Sequence, residues 1–526
     1  MIKDLLERIP RTDTILRHRW FWYCLIAIMF LSAIVYQANT HINHDVAWYL
    51  YATGQMLNGS ELYKDIIEVN PPLTFFVTAI PVYLSRLFHL SPTTGYKIFI
   101  FLISFLSLLY CNIFSKKIFR HSPPTLRYLF LFLITFIFTV LPMHAFGQRE
   151  HIFLILCMPY FLSVIVSVLG EKYTAKNSLM IGFFAAIGFL IKPFYLIIWL
   201  ILEIFIILDK KSIRALYHRY ENLLIIIISF AYLTALTVFW SRYITLTKIS
   251  LQVYHAYNSP VTMILSYRID LFLLMLVSVL FLSLQKNHPS KKIFVLLLII
   301  AVSSFFIALF QKKGWSYHFY PYKAMILLFL TSNISHFISR IIKLDKTFRF
   351  GFNGFLLLVL TYFICFQIFI PIKNNLANPP YDKQTTQRLI DLVKKHAPNK
   401  YIFLFSTSVS PSFPLVNYTD THWASRFNCL WFLPALYPDN YRPQRYHKKS
   451  EMNYIEQYIF TTTISDIQKN KPALIIVNTS PIKQGFKGRD FDFIRYFSQD
   501  NQFKNFINTY RKAGTVGYFD IYEPKN

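Results

Sequence analysis

Long apolar segments recur along roughly the first 370 residues of the chain, and several approach the ~20 residues that a helix needs to cross a bilayer. Inside a bilayer every backbone polar group must be bonded within the spanning element, so such segments are predicted to be helices. About eleven candidate spans are found. They cover residues 20–37, 97–114, 128–143, 152–169, 178–191, 194–208, 222–241, 269–285, 293–310, 323–339 and 352–371. The chain is therefore predicted to be a polytopic α-helical membrane protein.

The composition agrees with this class of protein. Of 526 residues, 54% are apolar and only 15% are charged. A formal net charge of +28 could indicate a nucleic-acid partner, but Lys and Arg lie in short clusters between apolar segments and form no single basic surface. No paired-cysteine pattern predicts a disulfide framework or a metal site. The long first apolar segment lacks a cleavage site with small residues, so it is predicted to be an uncleaved anchor.

The positions of the basic clusters predict the topology. The apolar segment from Leu73 to Phe88 is short and holds Pro81, so we leave it out of the count of spans. Every dense basic loop then lies on the side of the N-terminus, which is cytoplasmic by the positive-inside rule. These clusters are Lys116, Lys117, Arg120 and Arg127; Lys210, Lys211, Arg214 and Arg219; Lys286, Lys291 and Lys292; and Arg340, Lys343, Lys346 and Arg349. We expect an integral membrane protein of a bacterial inner membrane.

Two domains are predicted on this basis. Residues 1–371 form a transmembrane domain with a first external loop at 38–96, and residues 372–526 form a small extracytoplasmic domain. In the tail, "TTQRLIDLVKKHA" is typical of an amphipathic helix, and "YIFLF" and "ALIIV" are typical of buried strands. The segment "TVGYFDIYE" alternates like a strand. The tail is therefore predicted to have an α/β fold.

The first external loop concentrates acids in a chain that has only 26. A carboxylate beside a bilayer is costly unless it is solvated or paired. One interpretation is that Asp45 caps an interfacial helix, "VAWYLYATGQML", whose Val46, Leu50, Thr53 and Leu57 could face lipid. The other is that Asp45 is a general base for an acceptor hydroxyl, or a metal ligand beside one. Glu61, Asp65 and Glu68 are expected in a solvated turn.

The other external loops are short but carry ionisable groups. "FGQREH" places Arg149, Glu150 and His151 at the start of a span, where three charges exceed what anchoring requires. Lys192 before Pro193 either extends to the interface or binds phosphate. "QKKGWSYHFYP" adds two lysines and several rings, and "VYHAYN" adds His255, for which no partner can be named. The ionisable and aromatic residues singled out in "QKKGWSYHFYP" are Lys312, Lys313, Trp315, Tyr317, His318 and Tyr320.

Cations that stand beside His, Tyr or a carboxylate on the external side suit a polyanionic head group. A lipid phosphate entering from the bilayer needs cations at the interface, both to hold it and to stabilise charge on a departing phosphate. A nearby carboxylate would activate an incoming hydroxyl. No Gly-rich phosphate loop follows a strand, and the Asp490-Phe491-Asp492 triplet lies at the start of a predicted helix in the tail. These observations favour a lipid-linked donor over a nucleotide sugar.

The first loop resembles that of the GT-C superfamily of membrane glycosyltransferases, which includes the protein O-mannosyltransferases and the lipid A aminoarabinose transferase. "GQREH" matches a charged motif at the fourth span in position, "IKPF" resembles a lysine motif after the fifth span, and "YHFYP" resembles an aromatic stretch before a late span. The first-loop residues that carry the resemblance are Asp45, Tyr49, Leu50, Ala52, Leu57, Gly59, Tyr63, Asp65 and Asn70-Pro71-Pro72-Leu73.

This resemblance implies a glycosyltransferase that moves a hexose or pentose from a polyprenyl-phosphate donor to an extracytoplasmic glycan, lipid or protein acceptor. It implies Asp45 as base or metal ligand and Glu150 as a helper carboxylate that could share a divalent metal ion. The remaining candidates would bind substrate: His44, Arg149, His151, Lys192, His255, Lys312, Lys313, Tyr317, His318 and Tyr320. The alternatives are a non-enzymatic carrier or flippase of lipid-linked sugars, and an O-antigen polymerase or ligase.

Overall fold

The computed structural model describes residues 19–122, 124–283, 291–341, 381–437 and 446–525. They divide into two compact units. The described parts of unit 1 are residues 19–40, 96–122, 124–233, 259–283 and 291–341; those of unit 2 are residues 41–95, 234–258, 381–437 and 446–525. The second unit thus combines the first external loop with the tail, whereas the sequence predicts a boundary near residue 371.

Helices dominate the chain. In order they are α1 Arg19–Ala38, α2 His44–Leu57, α3 Pro72–Leu87, α4 Pro92–Ile118, α5 Pro124–Thr139, α6 Arg149–Val168, α7 Ala175–Leu190, α8 Leu196–Lys210, α9 Arg214–Tyr217, α10 Tyr220–Phe239, α11 Ser241–Val253, α12 Val261–Tyr267, α13 Ile269–Ser283, α14 Lys291–Phe310, α15 Tyr320–Ile341, α16 Tyr381–His396, α17 Ser412–Thr419, α18 Leu433–Leu436, α19 Tyr454–Asn470, α20 Phe493–Phe497 and α21 Asn501–Ile507. Short 3₁₀ turns cover Met143–Ala145, Pro193–Tyr195, Tyr254–Tyr257 and Ser316–Phe319.

The predicted spans that precede residue 340 all fall on helices. Within the described part of the chain, α1, α4, α6, α10 and α14 are long and apolar enough to cross a membrane, and α12 with α13 forms a sixth candidate bent by 82°. These helices support an integral membrane protein. The total of about eleven spans stays a prediction, and the span at 352–371 lies outside the described residues. The segment set aside from the count, Leu73 to Phe88, falls on the short apolar helix α3.

Helix α6 lies at the centre of unit 1. Of the window of α6 that could span a membrane, 94% is buried inside the protein, and α6 packs against α7, α8, α14 and α15. Gly188 of α7 permits this close packing, because a Cβ there would lie 2.6 Å from the sulfur of Cys157. A helix buried on all sides is apolar all round, which explains why the sequence of α6 shows no polar face beyond its first turn.

A buried ion network ties α8 to the start of α10 in unit 1. The Arg219 guanidinium donates to both oxygens of Glu203, at 2.8 and 3.0 Å, and to Glu221 at 2.8 Å. Asn222 and Tyr160 also donate to Glu203, at 2.6 and 2.5 Å. Arg219 was counted from the sequence among the basic loop residues that set topology. Its burial shows instead that it compensates two buried carboxylates.

Replacing Arg219 by Met is therefore expected to lower the free energy of unfolding by about 3–5 kcal/mol, because two buried carboxylates lose their counter-charge. Thermal unfolding of the detergent-solubilised protein measures this. Arg214→Met is the matched control, since Arg214 is an exposed arginine of the same loop and its loss should change stability by no more than about 0.5 kcal/mol. Equal effects of the two substitutions would contradict a special role for Arg219.

Unit 2 contains a five-stranded sheet in the order β2-β1-β3-β5-β4, and the α/β fold predicted for the tail is confirmed. The strands are β1 Tyr401–Phe405, β2 His422–Trp423, β3 Leu474–Asn478, β4 Tyr510–Val516 and β5 Phe519–Pro524. Strand β1 is parallel to β2 and β3, whereas β5 is antiparallel to β3 and β4. The two strands predicted from "YIFLF" and "ALIIV" are β1 and β3.

Two details of unit 2 differ from the sequence prediction or refine it. "TVGYFDIYE" is not one strand: it holds the end of β4, a turn at Gly517, whose φ is 60°, and most of β5. The acids of the Asp490-Phe491-Asp492 triplet do stand at a helix start: the Asp492 side chain accepts the N–H of Arg495 at 3.0 Å, and Asp490 pairs with Lys483.

Candidate functional site

In unit 1 the first turn of α6 meets the break between α7 and α8. Arg149 and Glu150 follow the N-cap Gln148, where a carboxylate is favoured by the helix dipole. Lys192 precedes Pro193, which disfavours helical backbone, and its φ and ψ of −145° and 88° end the preceding helix. The Lys192 ammonium donates to Oε1 of Glu150. Glu150 is fully buried and Lys192 is only 5% exposed, so Lys192 does not extend to the interface.

His318 joins this ion pair from the turn before α15. Its Nε2 lies 3.8 Å from Oε1 of Glu150, and the residue is 4% exposed. Burial, reinforced by the charges of Lys192, Arg149 and Lys313, lowers the pKa of His318 well below its ordinary value. The imidazole is therefore neutral at physiological pH, so one ring nitrogen donates a hydrogen bond and the other accepts one. The rings of Trp315 and Tyr317 pack against the His318 ring, with distances between ring centroids of 5.4 and 4.6 Å.

Lys313 brings a further cation to the cluster. Partial burial lowers the pKa of its ammonium to about 8, so the side chain remains mostly charged at neutral pH. Lys312, by contrast, is exposed and has a left-handed backbone with a φ of 54°, and its carbonyl accepts the N–H of Ser259 at 2.7 Å. Of the two lysines, Lys313 is the one whose charge acts on His318.

Two predicted ligand residues, His151 and Tyr320, bond to the backbone of the fold. The His151 ring bonds to the N–H of Gly147 at 3.0 Å and to the carbonyl of Phe138 at 2.8 Å, so both nitrogens are used by backbone. The Tyr320 hydroxyl donates to the carbonyl of Ile137 at 2.6 Å. Both side chains are buried, and their rings contact each other at 5.5 Å. Their bonds help to hold α5, α6 and α15 together, and their role in substrate binding stays a prediction.

Tyr195 is a member of the cluster that the sequence prediction missed. Its ring stacks on Phe153 at 3.9 Å with an interplanar angle of 8°, and the residue is fully buried. The hydroxyl lies within electrostatic reach of the Glu150 carboxylate and the Arg149 guanidinium. A tyrosine within an apolar segment does not by itself indicate that its hydroxyl lies near charged residues. Its position three residues after Lys192 could have suggested it, because one 3₁₀ turn returns the chain to the same side.

In unit 2, Asp45 lies in the first turn of α2. The N-cap is Asn43, whose side chain accepts the N–H of Asp45 at 2.9 Å, so the prediction that Asp45 caps the helix is wrong. Because Asn43 already caps the start of α2, the Asp45 carboxylate is not the cap of this helix. It is about one-fifth exposed and lies 3.5 Å from Nε2 of His44.

The faces of α2 also differ from the prediction of lipid contact. Val46, Leu50 and Thr53 are buried in unit 2 against α3 and α17. The tail holds this helix: Asn417 donates to the carbonyl of Ala47 at 2.9 Å, and the Tyr418 hydroxyl accepts the N–H of Ile42 at 3.1 Å. Tail residues thus fix the turn of helix that presents Asp45.

Glu68 is not the solvated turn residue expected from the sequence. It is 3% exposed and accepts hydrogen bonds from the indole of Trp48, from the N–H groups of Val69 and Asn70, and from the Asn70 side chain. It therefore fastens the Asn-Pro-Pro turn to α2. Glu61 and Asp65 are exposed, as predicted. His255 is exposed, and its Nδ1 lies 2.6 Å from the carbonyl of Gln252.

A divalent metal ion does not fit the described residues. Among them no three or more His, Cys, Asp or Glu side chains are grouped so that they could hold a metal ion. Glu150 has its Oε1 taken by Lys192, and the imidazole of His44 is the neighbour of Asp45 described above. Among the described residues neither carboxylate stands in a group of three or more such side chains.

Comparison with known proteins gives likenesses to solved structures only. No protein-family model and no curated protein matches the sequence. The chain is similar to the crystal structure of the Archaeoglobus fulgidus oligosaccharyltransferase tethered with an acceptor peptide, with 11% identity and a TM-score of 0.47 over 97% of this chain and 74% of that one. At this identity and TM-score, the likeness transfers no substrate and no residue role to the present chain.

Proposed function

We propose that the protein is an integral membrane glycosyltransferase that moves a sugar from a polyprenyl-phosphate donor to an extracytoplasmic acceptor. The observation that carries the proposal is the cluster at the start of α6. Three cations, Arg149, Lys192 and Lys313, lie near the Glu150 carboxylate and His318 at the ends of apolar helices. Cations clustered at the ends of apolar helices are what the phosphate of a lipid requires.

The cations would act on the leaving group. In the transfer step an acceptor oxygen bonds to the anomeric carbon while the bond from that carbon to the phosphate oxygen breaks. The electron pair of the broken bond stays on the polyprenyl phosphate. Lys192, which is buried, and Arg149, which is partly buried, would stabilise that growing negative charge better than fully water-exposed cations could. Lys192 is kept in place by Glu150, and Lys313 adds a charge that depends on pH.

Asp45 would act on the acceptor. Its carboxylate is solvent-accessible, lies in the first turn of a helix, and is not consumed by capping. It can therefore accept the proton of an acceptor hydroxyl as that oxygen attacks the anomeric carbon. His44, 3.5 Å away, would bind the acceptor or the donor sugar.

One observation weakens the alternative of a non-enzymatic carrier. Such a protein would place charged residues along a central path through its spans. Within the predicted spans, the sequence has little charge beyond Glu203. Glu203 is bonded to Arg219, Asn222 and Tyr160 and is 2% exposed, so it is already satisfied within the fold.

Mass spectrometry of external glycans, glycolipids and glycoproteins tests the proposal. Cells that lack the gene should lose one sugar substituent, and the intact gene should restore it. Reconstituted protein in lipid nanodiscs should then transfer radiolabelled sugar from a polyprenyl-phosphate donor to the acceptor so identified. Unchanged glycans together with no transfer in nanodiscs would reject a glycosyltransferase.

Donor affinity is expected to fall as pH rises from about 7 to about 9. Lys313 loses its proton around a pKa of about 8, so roughly a tenth of the molecules keep that charge at the upper end. The phosphodiester of the donor keeps a single negative charge over this range, and polyprenyl phosphate, whose second pKa is about 6, is already mostly doubly ionised. Binding of polyprenyl phosphate to the protein in nanodiscs measures the decline.

The matched variants are Lys313→Arg and Lys312→Arg. An arginine stays protonated throughout this range, so Lys313→Arg should bind with little dependence on pH. Lys312 is exposed and shows no comparable burial, so Lys312→Arg should retain the decline of the unmodified protein. A decline that survives in Lys313→Arg would remove Lys313 from the phosphate site.

A further inference from the structure

Three buried polar atoms of the α6 cluster have no hydrogen-bond partner among the described residues. They are Oε2 of Glu150, the hydroxyl of Tyr195 and Nδ1 of His318, and the three residues are at most 4% exposed. Buried polar groups in native proteins almost always form hydrogen bonds, because a buried group without a hydrogen bond carries the full cost of its desolvation. Three such atoms within one cluster therefore indicate a ligand that completes their bonds.

The chemistry of the three atoms selects the class of ligand. A carboxylate oxygen accepts hydrogen bonds only, a phenol can donate or accept, and a neutral imidazole offers one nitrogen of each kind. An anionic phosphate would be repelled by Oε2 of Glu150. A neutral group with several hydroxyls can donate to that oxygen and exchange bonds with the other two.

We propose that Glu150, Tyr195 and His318 form a hydroxyl-recognition site for the sugar ring of the donor. This rests on the proposed function and adds two assignments to it. Glu150 is a sugar-binding and positioning residue rather than a helper in catalysis, since Lys192 occupies its other oxygen. Tyr195 is a specificity residue, with its ring fixed by the stack on Phe153 so that its hydroxyl has a defined place.

Tyr195→Phe tests the site because it removes only the hydroxyl and keeps the stacked ring. Tyr322→Phe is the matched control: that tyrosine is equally buried, but its hydroxyl donates to the carbonyl of Leu271 at 2.7 Å. Without ligand, Tyr195→Phe should unfold at the same temperature as the unmodified protein or higher, whereas Tyr322→Phe should unfold at a lower one. An equal loss of stability in both variants would mean that Tyr195 is already satisfied in the fold, and would overturn the proposal.

Lipid binding in nanodiscs gives the second measurement. Tyr195→Phe should bind a polyprenyl-phosphate hexose about 5- to 10-fold more weakly than the unmodified protein, and polyprenyl phosphate without sugar equally well. Unchanged affinity for the hexose lipid would contradict a sugar site. If the unmodified protein bound neither lipid, the proposed function itself would fail. The comparison of unfolding temperatures would still decide whether the Tyr195 hydroxyl forms a hydrogen bond within the fold.

Discussion

Asp45→Asn is expected to lower the rate of sugar transfer by about 10²- to 10⁴-fold, the usual contribution of a positioned general base. The amide is nearly the same size as the carboxylate but cannot take a proton from the acceptor hydroxyl. Binding of polyprenyl phosphate should persist, because the cations assigned to the phosphate belong to the α6 cluster. Transfer of radiolabelled sugar and lipid binding, measured on the same nanodisc preparation, separate the two effects.

The control for this variant is Asp65→Asn. Asp65 belongs to the same loop and is exposed. Its carboxylate accepts the N–H of Glu61 at 3.0 Å. Both substitutions remove one negative charge from that loop, but only Asp45 lies in the first turn of α2. Losing its charge at a helix start costs about 0.3–1 kcal/mol, too little to unfold the protein. A transfer rate in Asp45→Asn equal to that of Asp65→Asn would remove Asp45 from the mechanism.

Local patterns in the sequence were sufficient to predict the helices and the two central strands of the tail. Apolar runs and their lengths are properties of neighbouring residues, so the helices around α6 and the strands β1 and β3 could be found without knowing the fold. Turn geometry was harder. The hairpin at Gly517 was missed because its flanking strands continue the same alternation, and only the positive φ of the glycine reveals the turn.

Burial of charged groups could not be predicted, because it depends on partners far away in the chain. Glu68 and Arg219 look like residues of solvated loops, yet each is bonded inside the fold, Glu68 to Trp48 and Arg219 to Glu203. The same limit applies to the cap of α2. Asn and Asp are both good caps, so the sequence does not distinguish Asn43 from Asp45, and the structure places the cap at Asn43.

The candidate site was predicted in its members but not in its pairings. Glu150 and Lys192 were each selected for standing at an external helix end, and 42 residues separate them. Their ion pair changes the interpretation of both. One oxygen of the Glu150 carboxylate is bonded to the buried Lys192 ammonium, which favours a positioning role over that of a base, and the same bond holds the ammonium in place.

Removing one partner of this pair is expected to destabilise the protein strongly. Lys192→Met leaves Glu150 as a buried carboxylate without its counter-ion, which costs about 3–5 kcal/mol, and Glu150→Gln strands the buried ammonium at a similar cost. The double variant Glu150→Gln/Lys192→Met replaces the ion pair by neutral groups of similar volume. Its free energy of unfolding should return to within about 1 kcal/mol of the unmodified protein.

The double variant separates structure from function because it restores stability without restoring the cation. If Lys192 binds the donor phosphate, the folded double variant should still bind polyprenyl phosphate at least about 10-fold more weakly and should transfer little sugar, since a charge-assisted hydrogen bond contributes about 1.5–3 kcal/mol. If the pair only supports the fold, recovery of stability should bring recovery of binding. Equal affinity of the double variant and the unmodified protein would thus assign Lys192 to the fold and leave phosphate binding to Arg149 and Lys313.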